Sequence, residues 1–116
     1  MEKMILIEMA EEMYKAGDFS ELKSGTNCLA GIKKFAFGIA DKINNSENEI
    51  ELYFIGSDCI YMADQIKVIK AVLTKLGYKV VSKVSGTDKV NKRHNDRGRR
   101  FYSGASKKRI ISFKKK

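Results

Sequence analysis

The sequence predicts a mixed α/β fold followed by a strongly basic C-terminal segment. Residues 49–55, EIELYFI, alternate apolar and polar side chains, which is the period of a half-buried strand. After them, apolar side chains recur every three or four positions, as in a helix that packs on a core. Residues 78–84 are again rich in β-branched and aromatic side chains, so the central part of the chain is predicted to be strand, helix and strand.

Three helices are predicted from apolar spacing. The first covers residues 2–15, with a stripe formed by Ile5, Leu6, Met9 and Met13, and it ends at Gly17. The second follows the turn-forming and cap-forming residues 24–27, and its stripe is formed by Leu29, Ile32, Ala36, Ile39 and Ile43. The third begins after Gly56, and its stripe is formed by Met62, Ile66, Ile69, Leu73 and Leu76.

Glycines and polar residues mark further features of these helices. Ser57 or Asp58 is predicted to cap the third helix, and Gly77 is predicted to end it. Gly31 and Gly38 lie seven residues apart in the second helix, where glycine lowers helix propensity. Their presence therefore predicts that another backbone approaches this helix closely.

Four strands are predicted. A short strand at residues 19–23 precedes the strands at 49–55 and 78–84, and a last strand covers 109–113. Residues 85–108 lose periodicity and combine three glycines with many Lys and Arg, which predicts a mobile loop or the tip of a long hairpin. The predicted order is helix, weak strand, helix, strand, helix, strand, basic loop and strand.

Composition limits the class of protein. A chain of 116 residues with 43% hydrophobic content can form one domain with its own core. The two cysteines, Cys28 and Cys59, have neither a CxxC spacing nor a nearby histidine, so both are expected to be reduced thiols, buried or half-buried. No stretch is long enough to cross a bilayer, and the acidic N-terminus is not typical of a signal peptide. We therefore expect a soluble protein of the cytoplasm or nucleoid.

Motifs for catalysis or for a bound cofactor are not found: there is no Walker loop, GxSxG or HExxH. Asp58 and Asp64 could be considered as metal ligands of a nuclease, but their spacing of six does not bring them to one helical face. The sole histidine, His94, is expected to lie on the surface. The sequence thus predicts a protein that is not an enzyme and needs no cofactor or metal.

Charge is distributed very unevenly along the chain. Residues 1–82 hold ten Lys and Arg against twelve Asp and Glu, whereas residues 83–116 hold thirteen against two. The net charge of +9 is therefore concentrated in the last third of the sequence. A nucleic acid is the natural partner of such a segment, because each neutralised phosphate releases a condensed counterion.

Three short segments are notable: LKSGTN before the second helix, FIGSDCI between strand and helix, and VSGTD ahead of the arginine-rich segment. They resemble the Alba family of small basic nucleic-acid-binding proteins, in which LKSGTN is similar to the basic loop and helix start. FIGSDCI stands where the family has a glycine between strand and helix, and VSGTD with the arginine-rich segment is similar to its third strand and hairpin. The resemblance covers residues 19–114 and leaves residues 1–18 as a helical addition to a domain of residues 19–116.

The resemblance implies a two-layer fold with a mixed four-stranded sheet, two helices on one of its faces and a long basic hairpin at residues 85–108. It also implies a homodimer that binds DNA or RNA, with contacts from Lys23 and Ser24 before the helix. Two departures are notable. Lys23 is followed by Ser24 where the family often has a second basic residue, and Asp58 places an acid where the family tends to have a base.

The candidate nucleic-acid-binding residues are mostly in the basic segment. Arginine suits phosphate oxygens and base stacking better than lysine does, and two aromatic residues lie within the same run. Together with Lys23 and Ser24, the set is Lys83, Lys92, Arg93, Arg97, Arg99, Arg100, Phe101, Tyr102, Lys107, Lys108 and Arg109. We expect phosphate contacts with little sequence readout, and RNA or a single strand is favoured slightly over duplex DNA.

Alternative interpretations are kept open. Phe101 and Tyr102 could equally fold back onto the sheet as core residues. The basic segment could be a solubilising tail, and the whole chain could be a protein-interaction module or a small inhibitor of phage or plasmid type. Such an inhibitor would dock on a host protein or compete at its nucleic-acid site.

Overall fold

A computed structural model of the chain describes residues 2–84 and 106–116. The helices in these ranges are α1 (Lys3–Lys15), α2 (Ala30–Asn44) and α3 (Met62–Lys75). The strands are β1 (Glu49–Ile55), β2 (Tyr78–Val84) and β3 (Ser106–Lys115). Short 3-10 helices, Gly25–Leu29 and Gly56–Tyr61, precede α2 and α3. The strands form one sheet in the order β1-β3-β2, in which both neighbouring pairs are antiparallel.

The mixed α/β composition is confirmed, but the mixed four-stranded sheet with two helices is wrong. The strand predicted at residues 19–23 does not form; this segment consists of turns, in which Ser20 N–H bonds Gly17 O and Leu22 N–H bonds Phe19 O. Phe19 and Leu22 are buried because turns bring residues three apart to the same side. They lie beside Lys67 and Ala71 of α3, so their apolar side chains pack with the helices and not in the sheet.

Other element predictions differ from the structure mainly at their ends. β1 and β2 match the predicted strands, but β3 begins at Ser106 rather than Arg109, so the predicted loop 85–108 ends too late. Ser57 or Asp58 does not cap α3, because the 3-10 turn delays that helix to Met62. Gly77 does end α3: it follows the C-cap with a φ of +96°, the left-handed conformation that glycine adopts most readily.

The sheet has two distinct faces. Side chains of β1 alternate between buried and exposed along the whole strand. The inner face contributes the buried residues Ile50, Leu52, Phe54, Ile111 and Phe113, which share one core with the helices. Phe54 lies edge-to-face with Phe35 of α2, with ring centroids 5.3 Å apart. The opposite side, which we call the outer face, carries the exposed side chains of β1 and their neighbours in register.

Helix α1 packs on α2 and α3. Leu6, Ala10 and Met13 are buried in the common core, whereas Ile5, predicted to face the core, is 37% exposed. Within the described ranges, each helix is too short or too polar to cross a membrane.

Both cysteines are free thiols, as predicted. Cys28 is buried beside the start of α2, and burial together with the nearby Asp64 carboxylate raises the pKa of its thiol. Cys59 is partly buried, and its Sγ lies 3.4 Å from Phe54 O. The environment of Cys28 does not favour the reactive thiolate of a catalytic cysteine.

Gly31 and Gly38 were predicted to be approached by another backbone, but the nearest atoms at both positions belong to side chains. A Cβ at Gly31 would lie 2.6 Å from Cβ of Gln65 on α3, whereas one at Gly38 would lie 3.1 Å from Cδ1 of Ile50, the movable end of a side chain. We expect Gly31→Ala to lower the free energy of unfolding by about 2 kcal/mol, because an overpacking cost of about 3 kcal/mol exceeds the gain in helix propensity of about 1 kcal/mol.

Gly38→Ala is the matched control, since it makes the same chemical change two turns further along the same helix. Urea unfolding of both variants tests the prediction. Equal midpoints for the two variants would show that the contact with Gln65 does not limit how closely α2 and α3 approach.

Candidate nucleic-acid interface

All three strands terminate at the same end of the sheet. Ile55, the last residue of β1, is opposite Ser106, the first residue of β3. Val84, the last residue of β2, is opposite Arg109, three residues after Ser106 on β3. We call this end of the sheet the tip end, because residues 85–105 connect β2 with the central strand β3.

Four candidate binding residues are brought together at the tip end. Lys83 lies on β2, and Lys107, Lys108 and Arg109 lie consecutively on β3, its neighbour in the sheet. The register places Lys83 and Lys108 on the outer face, whereas Lys107 and Arg109 are opposite the buried residues Phe54 and Leu52. The predicted loop cations at 107 and 108 are therefore strand residues, and the alternation of the strand divides them between two faces.

The two cations on the inner side lie at the margin of the core. Arg109 is partly buried, and its Nη1 donates a hydrogen bond of 2.7 Å to Lys108 O. Lys107 is partly buried as well. Long basic side chains commonly cover apolar surface with their methylene groups while the charge reaches solvent. The methylene groups of Arg109 and Lys107 can therefore cover the end of the core, while their charges contribute positive potential at the tip end.

Lys108 contacts an exposed aromatic ring on the outer face. Its Nζ lies 5.3 Å from the ring centroid of Tyr53, its partner in register on β1. Such an exposed cation–π contact contributes about 0.5–1 kcal/mol. Tyr53 was not among the residues predicted for binding. The signal in the sequence is an aromatic side chain on the polar face of an alternating strand, between Glu51 and Ile55.

The acidic residue at the tip end has a basic partner. Lys34 Nζ of α2 lies 3.4 Å from Asp58 Oδ2 and donates a 3.2 Å hydrogen bond to Tyr53 O. Each side chain of the ion pair is 44% exposed, so the pair contributes at most about 1 kcal/mol to stability. Its effect on the site is electrostatic: Lys34 offsets the carboxylate that would otherwise repel a phosphate near the tip end.

Lys23 and Ser24 belong to the helical side of the molecule. They directly precede the 3-10 turn Gly25–Leu29, which packs against α2 and α3. Lys23 is exposed, but Ser24 Oγ is buried and has no hydrogen-bond partner in the described part of the chain. With its oxygen covered, the Ser24 hydroxyl is not available to a phosphate in this arrangement.

The remaining predicted contacts fall outside the described residues. They are the basic residues Lys92, Arg93, Arg97, Arg99 and Arg100 and the aromatic residues Phe101 and Tyr102. The choice between base stacking and core packing for the two aromatic residues stays a prediction.

Metal-binding geometry is not found among residues 2–84 and 106–116, where no three His, Cys, Asp or Glu side chains converge. Asp58 is engaged by Lys34, and Asp64 lies near Cys28. Comparison with protein-family models, with curated proteins and with solved structures finds no match for this chain. The Alba resemblance stays a sequence-based prediction.

Proposed function

We propose that this protein binds nucleic acid through phosphate contacts at the tip end of its sheet, with little sequence readout. The observation that carries the proposal is the convergence of Lys83, Lys107, Lys108 and Arg109 on two adjacent strands. These strands lead into residues 85–105, which add six Lys and Arg against two Asp. A compact group of cations next to a basic segment creates a local positive field that attracts polyanions.

The chemistry of these residues favours contacts to the backbone over base readout. Lysine binds phosphate as a point charge, and arginine binds two phosphate oxygens with its planar fork. Phosphates carry no sequence information, so such contacts position a nucleic acid without selecting its bases. The pairing of Lys34 with Asp58 supports the same proposal, because the positive charge of Lys34 offsets a carboxylate that directly follows β1.

Titration of labelled oligonucleotides at two salt concentrations tests the proposal. Single-stranded and duplex oligonucleotides of equal length should bind in the micromolar range or tighter at 50 mM salt. Affinity should fall steeply at 200 mM salt, because each phosphate contact adds about 0.7–0.9 to the salt slope. Fluorescence anisotropy measures both affinities directly.

Absence of binding at 50 mM salt would contradict the proposal and would favour the protein-interaction alternative. Binding that does not weaken with salt would also contradict it, because phosphate neutralisation would then not be the source of affinity.

A further inference from the structure

The outer face of the sheet exposes apolar and aromatic side chains, of which Tyr53 and Ile55 lie near the tip end. Tyr53 and Ile55 of β1 are 39% and 47% exposed, and Val81 of β2 is 52% exposed. Ile110 of β3 lies between these strands on the same face and is partly buried. No helix within residues 2–84 and 106–116 covers this face, since the helices pack with the core side chains on the opposite side of the sheet.

An exposed ring and a cation face each other near the tip end of the outer face, where Lys108 is opposite Tyr53. Next along the strands, Ile110 is flanked by Lys83 on the side of β2 and by Glu51 on the side of β1. Farther from the tip end, Lys79 and Lys114 are opposite each other, and Ser112 Oγ donates to the Glu49 carboxylate. The distinguishing feature of the half near the tip end is therefore the lysine beside the ring of Tyr53.

We propose that this half of the outer face is a subsite for single-stranded nucleic acid, in which an unpaired base stacks on Tyr53. Lys108 would leave the ring and contact the adjacent phosphate, while Lys83 contacts a neighbouring one. The inference rests on the proposed function and adds to it a preference for unpaired bases over a duplex.

Replacing the contact between Lys108 and Tyr53 by contacts with a nucleic acid is favourable for both side chains. A stacked base contributes more than the exposed cation–π contact that it replaces, and Lys108 gains a charged partner when it moves to a phosphate. Bases in a duplex are stacked on each other, and their faces cannot reach a side chain that stands on an open sheet. The geometry therefore favours a single strand.

Substitution of Tyr53 tests the inference in the full-length protein. Tyr53→Leu keeps an apolar side chain on the outer face but removes the ring, and Tyr53→Phe keeps the ring. We expect Tyr53→Leu to weaken binding of a twelve-nucleotide oligo(dT) and an oligo(U) by roughly tenfold or more, the loss expected for one stacked base. Tyr53→Phe should bind nearly as the unchanged protein does. Duplex affinity should change by less than about twofold in both variants, because a paired base gives up no stacking.

Phe37→Leu is the matched control, because Phe37 is 49% exposed on α2 and loses a ring of similar size away from the sheet. It should leave both affinities unchanged. Far-UV circular dichroism verifies that the variants are folded.

Equal losses for single strand and duplex, or full single-strand affinity in Tyr53→Leu, would overturn the subsite and leave the proposed function standing. If the unchanged protein binds neither oligonucleotide, both proposals are wrong. Comparison of oligo(dT) with oligo(U) separates DNA from RNA.

Discussion

Replacing Arg97, Arg99 and Arg100 together by alanine is expected to reduce nucleic-acid affinity on the order of 100-fold at 0.1 M salt. If each arginine neutralises one phosphate, the salt slope should fall by about 2–3, since each contact contributes about 0.7–0.9. We expect the melting temperature to change little, because the sequence predicts an aperiodic loop here and arginine is rarely a core residue. Anisotropy titrations at four salt concentrations give the slope.

A triple variant of α3, in which Lys67, Lys70 and Lys75 are replaced by alanine, is the matched control. Both variants lower the net charge from +9 by three, but these lysines lie on a helix and not in the basic segment. The control should retain most of the affinity and slope. Equal losses in the two variants would show that overall charge, rather than the basic segment, sets the affinity.

Phe54→Ala is expected to lower the free energy of unfolding by about 3–5 kcal/mol. Phe54 is fully buried on the inner face of β1 and contacts the ring of Phe35, so truncation leaves a cavity between strand and helix. A loss of this size is a large fraction of the stability of about 5–15 kcal/mol that is typical of single domains. Chemical denaturation in urea measures it, and Phe54→Leu provides a milder variant if the alanine variant does not fold.

Tyr53→Ala, at the adjacent position on the outer face, is the control for this prediction. It should cost about 1 kcal/mol or less, because it removes an exposed ring and one cation–π contact. Similar losses for the two substitutions would contradict the assignment of inner and outer faces, since neighbouring strand residues would then be equally buried.

Local pattern was sufficient to predict most helices and strands. The alternation in residues 49–55 predicts both the strand and the burial of Leu52 and Phe54. Gly77 ends α3 as predicted, because a left-handed residue is needed at that position and glycine adopts it at little cost. In these segments the spacing of apolar side chains and the local backbone preference agree.

The failed predictions concern residues whose state depends on distant partners. Phe19 and Leu22 are apolar enough for a strand, but the neighbouring α3 provides a site that they fill from consecutive turns. Residues 106–108 have the composition of a loop, yet they join a strand because Ile55, Phe54 and Tyr53 of β1 provide their pairing partners. Local propensity is weak in such short segments, and tertiary contacts override it.

By itself the sequence determined the amphipathic helices, the main strands and the separation of charge along the chain, and the nucleic-acid partner expected from that charge stays a prediction. Only the tertiary structure decided that the sheet has three strands, that Lys108 meets Tyr53 and that Lys34 meets Asp58. The physical reason is that helices and strand alternation arise from neighbours within a few residues, whereas strand order and register are set by the packing of segments far apart in the chain.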